Sequence, residues 1–99
     1  MNPEQASRSV TAAAQQMQAR ADEASDLLKA MANPQRLRVL CLLVEGEKSV
    51  GEINAAIDLS QSALSQHLAV LREQSLVVTR RDSQVIYYSV ADGPAHKII

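Results

Sequence analysis

Between positions 61 and 66 the sequence reads Gln-Ser-Ala-Leu-Ser-Gln, and His67 follows. These side chains carry hydroxyls and amides but no full charge. Such groups donate and accept hydrogen bonds in fixed directions, the chemistry that base edges in a DNA major groove demand. On a helical wheel of about 100° per residue, Leu64, Leu68 and Leu71 fall on one side. Ser62, Ser65, Gln66, Ala69 and Glu73 fall roughly opposite, with Gln61 and His67 on the two flanks of the leucine stripe. The segment therefore reads as a helix with an apolar back and a hydrogen-bonding front. The plainer alternative is a surface helix whose Ser and Gln are merely solvated. Surface helices usually carry more Glu and Lys than this one. His67 is expected to pack at the helix edge or to touch phosphate.

Further along, Arg80 and Arg81 fall near the tip of an expected hairpin, where they suit phosphate contacts or the minor groove. Gln84 is a weaker candidate beside them. Arg36, Arg38 and Arg72 suit phosphate contacts or surface ion pairs, and the sequence does not separate these roles. Cys41 is the single cysteine, so no disulfide within the chain is available to it. Its two readings are a reactive thiol and a small buried apolar side chain.

These residues need elements to position them. Residues 1–10 read as a flexible start and 11–99 as one domain. Thr11 to Met31 is rich in good helix formers and firms up apolar contacts at Ala24, Leu27, Leu28 and Met31. So weak and Ala-rich a face suits pairing with another copy, and the plainer alternative is a solvated lead-in helix. Asn33-Pro34 is a helix start. From there to about Glu45, Leu37, Leu40, Cys41 and Val44 form one stripe at i, i+3, i+4 and i+7. Val39, Leu42 and Leu43 cover much of the rest, so the helix is expected to be buried on several sides, and Gly46 ends it.

Ser49-Val50-Gly51-Glu52 has the spacing of a capping box and opens a short helix to about Ile57. Ser60 caps the next helix after a brief turn, which is the helix-turn-helix arrangement. Leu76 to Arg81 and Val85 to Val90 are β-prone runs around a polar turn, hence a hairpin. Ala95 to Ile99 reads as the first turn of a final helix, curtailed where the sequence stops. The expected fold is mainly α with a small β-hairpin, α-α-α-α-β-β-α, a winged helix-turn-helix.

Composition narrows the function classes. With 10 basic and 11 acidic residues, the net charge of −1 argues against a protein that coats nucleic acid indiscriminately. Specificity would instead rest on the paired helices of a dimer. No leader pattern and no long apolar window are visible, so a cytoplasmic protein without a membrane span is expected. No Ser/His/Asp set, phosphate loop or paired catalytic carboxylates are visible, so no enzyme and no cofactor are expected.

"LLKAMANPQRLRVLCLLVEGEKSVGEI", "LSQSALSQHLAVLREQSLV" and "TRRDSQVIYYSV" resemble the ArsR/SmtB family of dimeric bacterial repressors over about residues 24–90. The resemblance implies a homodimer on a palindromic double-stranded DNA operator, with the first and last helices at the dimer interface. It implies no metal site at the third helix, because the positions of the family's Cys-x-Cys thiolates are Ser49 and Gly51 here. Asp92 and His96 fall where a second family metal site lies. Cys41 resembles the sensor cysteine of the branch that answers to reactive sulfur or oxidants, whose second cysteine lies near the end of the last helix. Similar sequences also occur in the nodulation-regulator branch, which has no such requirement. Three expectations follow: a DNA-binding repressor released by reactive sulfur or oxidant acting at Cys41, a regulator with no thiol switch, and a winged-helix protein-interaction module.

Overall fold

Helix α1 spans Pro3–Met31. The structure is a computed structural model that describes residues 3–92, with side chains from position 10 onward. The helix thus begins at Pro3, not near Thr11, and most of the stretch expected to be flexible is helical backbone. Proline is well tolerated at a first helical position, and Glu, Gln and Ala follow it. At 1.5 Å per residue such a helix is about 44 Å long. Among the described residues its burial is confined to the last turns: Leu27 is half-buried and Ala30 and Met31 are buried, whereas positions 10–26 are exposed. The molecule is accordingly elongated, 63 × 26 × 22 Å.

Helix α2, Pro34–Val44, starts as expected, with the Asn33 side chain accepting from the backbone N–H of Gln35 and Arg36. Gly46 follows its last turn at φ 152°, a conformation that a side chain resists. A Cβ there would meet nothing closer than Lys48 Nζ at 3.9 Å, so the dihedral and not the space requires glycine. The buried face of α2 is Val39, Leu40 and Leu43. This corrects the expectation that the helix is buried on several sides. Leu40 belongs to the buried face at 0% exposure, but Leu37 is 41% and Val44 47% exposed, and Cys41 is exposed too. Helix α2 has two apolar faces, and among the described residues one of them is buried.

Strand β1, Lys48–Ser49, was not legible, because two residues cannot display alternation. It leads into α3, Val50–Ala56, through the expected capping box: Ser49 Oγ accepts from Glu52 N at 3.1 Å and Glu52 Oε1 accepts from Ser49 N at 2.9 Å. Helix α4, Gln61–Glu73, is capped by Ser60. It ends with Ser75 at φ 56°, Ser75 N–H donating to Arg72 O and Leu76 N–H to Leu71 O. That is a Schellman turn with serine where glycine is usual. It drives the buried Leu76 into the core and aims the chain into β2, Val77–Asp82.

Strand β3, Val85–Val90, pairs antiparallel with β2 from Val77↔Val90 to Asp82↔Val85, and β1 adds on its other edge, giving the order β1-β3-β2. The core beneath is almost wholly aliphatic, with Val39, Leu40, Ile53, Leu64, Leu71 and Leu76 fully enclosed. The fold is mainly helical with a small three-stranded antiparallel sheet, a winged helix-turn-helix. The expected final helix and His96 lie outside the described residues.

Candidate nucleic-acid interface

The leucine stripe of α4 is the anchor of the site. Leu64, Leu68 and Leu71 are 0%, 2% and 0% exposed, which locks the helix's rotation about its own axis. The opposite side then has to face outward. Gln61, Ser62, Ser65, Gln66, Ala69 and Glu73 are all exposed, as the wheel requires. The first turn of α4 contains no acidic residue, so the positive end of its dipole is open to an anionic backbone. Ser62 Oγ lies 3.3 Å from the capping Ser60 Oγ, while the structure gives Gln61, Ser65 and Gln66 no side-chain partner among the described residues. Gln61, Ser65 and Gln66 can therefore offer a hydroxyl and two amides to a groove without first breaking side-chain bonds among the described residues.

His67 is half-buried, and its Nδ1 lies 3.5 Å from an Nη1 of Arg36. That is edge packing, one of its two expected roles. Arg36 itself closes the end of α1: its Nε donates to Ala30 O at 2.7 Å and its Nη2 to Lys29 O at 3.2 Å. A guanidinium there meets carbonyls with no helical partner and the negative end of the dipole. Arg36 therefore has a structural role. Arg38 reaches Gln35 at 3.5 Å on the same helix, and Arg72 is exposed.

The two wing arginines separate. Side chains alternate across a strand, so Arg80 and Arg81 leave opposite faces of the sheet. Arg80 pairs in register with Tyr87 and lies 4.6 Å over its ring. It also forms a salt bridge with Glu47, Nη2 to Oε1 at 2.6 Å. Hydrogen bonding to Arg80 holds the Glu47 carboxyl below its ordinary value, and the same bond raises Arg80 further. Arg81 is exposed, with no such partner among the described residues. Glu47 carried no signal in the sequence, being 33 positions from Arg80.

The turn itself is Ser83-Gln84, with Ser83 at φ 57°. Gln84 shares a groove with Ser49, Val50 and Gly51, which sets the wing turn beside the start of α3. Among the described residues no group of three His, Cys, Asp or Glu side chains is disposed to hold a metal ion. No helix among the described residues is long and apolar enough to cross a membrane.

The family model "Bacterial regulatory protein, arsR family" matches residues 33–79, from the α2 cap to the wing. The transcriptional activator HlyU of Vibrio cholerae is 51% identical over 85 residues, covering 86% of this chain and 79% of that protein. The structure of its reduced form superposes with a TM-score of 0.78 at 46% identity, covering 85% of this chain and 88% of that one. The biofilm growth-associated repressor of Agrobacterium fabrum is 47% identical over 83 residues, covering 84% of this chain and 71% of that protein. A homodimeric winged helix-turn-helix DNA-binding domain from Mycobacterium bovis matches with a TM-score of 0.77 at 32% identity, over 83% of this chain and 76% of that one. The chain belongs to the arsR family of bacterial regulatory proteins, and it is a winged helix-turn-helix transcriptional regulator.

Proposed function

We propose that the protein represses transcription as a homodimer on a palindromic duplex operator, with Gln61, Ser62, Ser65 and Gln66 reading base edges in the major groove. One observation carries this reading: a sealed leucine back forces an uncharged, hydrogen-bonding front outward. Glutamine pairs two-pronged with adenine, and serine serves several bases. His67 orients the helix edge, and Arg81 and Gln84 engage the backbone or minor groove beside it. Pairing is supported by the open apolar face of α2 and the exposed length of α1, and by the homodimeric Mycobacterium bovis domain. Two recognition helices would then address half-sites about 34 Å apart.

The experiment is selection of bound duplexes from a random pool. A palindromic consensus supports the reading. Recovery of no preferred duplex, together with a protein partner captured at the same face, establishes the interaction-module alternative.

A second reading concerns Cys41, whose thiol is exposed in the single subunit and so open to reagents whenever the copies part. Cys41 sits between Leu37 and Val44 on the open face of α2. Oxidant or reactive sulfur acting there would place a polar group in the apolar seam between copies and so release DNA. Treatment with polysulfide or peroxide should lower operator affinity in the native protein and not in Cys41→Ser. An equal response in both proteins rules out the thiol switch.

A further inference from the structure

We propose that Arg80 is a positioning residue of the wing, which stays with Glu47 when DNA binds and leaves the backbone contact to Arg81. The inference rests on the DNA-binding reading above. Arg80 presents its Nε and Nη2 edge to Glu47, with Nε at 3.3 and 3.1 Å from the two carboxylate oxygens and Nη2 at 2.6 Å from Oε1. Two parallel bonds from a planar fork fix direction as well as distance. Beneath the fork lies the Tyr87 ring, 4.6 Å from the guanidinium carbon.

The topology explains why such a brace matters. Glu47 precedes β1, Tyr87 is on β3 and Arg80 on β2, and the sheet order is β1-β3-β2. The pair therefore spans the middle strand and laces all three strands on their outer face. Strand β1 contributes only two residues of pairing, Lys48↔Tyr88 and Ser49↔Tyr87. Beyond them the wing is a two-stranded ribbon, which is weakly held on its own. Glu47 also sits just after Gly46, so the brace refers the wing to the end of α2 and thus to the body that carries α4.

Simple charge counting points the other way. A carboxylate beside a phosphate-binding wing repels DNA, so removing it should tighten binding. The brace predicts the reverse.

The test uses the full chain, a selected operator duplex and binding titrations over a range of salt. Glu47→Gln should weaken binding about three- to fivefold, the scale of one exposed ion pair. The slope of log affinity against log salt should stay unchanged. Arg80→Lys, which keeps the charge but loses the fork, should weaken binding like Glu47→Gln, and the double variant should be no worse than either alone. Arg81→Ala should lower the slope by about one. Unchanged or tighter binding by Glu47→Gln, or a slope steeper by about one, overturns the proposal, since it shows Arg80 free to reach phosphate. Arg80→Lys binding as well as the native protein overturns it too. Should the chain select no duplex at all, the DNA-binding reading itself fails. Should it select one and ignore Glu47→Gln, only the brace fails.

Discussion

The two faces of α2 carry similar side chains and meet different fates. Val39, Leu40 and Leu43 are sealed by α4 and the sheet, whereas Leu37, Cys41 and Val44, on the same eleven-residue helix, stay open. Leu40 and Leu37 are one turn apart and chemically identical, yet one is 0% and the other 41% exposed. Hydrophobicity says that a face wants covering. It does not say which chain supplies the cover.

The largest effect expected from this contrast is on the fold. Leu40→Ala should cost about 2–5 kcal/mol in chemical denaturation, because it leaves a void in a packed core. Leu37→Ala should cost far less in the isolated subunit. Equal losses at low protein concentration would erase the distinction between the faces.

Next in size is an effect on assembly. Leu37→Glu combined with Val44→Glu should raise the dimer dissociation constant about a hundredfold or more while the circular dichroism spectrum stays native. Sedimentation velocity across a concentration series reads this directly. A dimer that survives both charges would place the seam elsewhere.

A smaller effect sharpens the view that the winged body is locally self-sufficient. Ser49→Ala should destabilise by about 1 kcal/mol through loss of a helix cap. It should leave the dimer constant alone, since Ser49 lies at the root of the sheet and away from the open face of α2.

The smallest effect appears in acid. Glu52 is held below its ordinary value of 4.5, first by the backbone N–H of Ser49 and then by its hydroxyl. Glu47 is lowered by Arg80. A carboxyl whose folded value is depressed adds stability above its unfolded value and loses it as pH falls through the folded one. Stability should therefore decline below about pH 4.5, and Glu52→Gln should flatten that decline in urea titrations at stepped pH. An unaltered acid limb would show that the capping carboxylate contributes nothing in solution.

Much of this architecture was legible in residue types and spacing. Asn33, Ser49 and Ser60 each announced a helix start, and all three cap one. The leucines of α4 announced its buried side, because short polar neighbours leave no competing apolar stripe. In α2 two apolar stripes compete, and periodicity alone cannot rank them. The wing was visible from its β-prone runs, but Arg80 and Arg81 read as a pair because adjacency in sequence hides alternation across a strand. Strand β1 and the Glu47 brace are products of tertiary contact, with nothing local to betray them. The front of α4 was legible as a surface with one kind of chemistry.

Gln66→Ala probes that surface at an exposed amide. The measurement is affinity for the selected duplex and for versions with single base changes. If Gln66 reads a base edge, the parent duplex loses about 1–3 kcal/mol and discrimination relaxes at one base pair in each half-site. Unchanged affinity with unchanged discrimination would contradict that reading, and would return α4 to the status of a solvated helix.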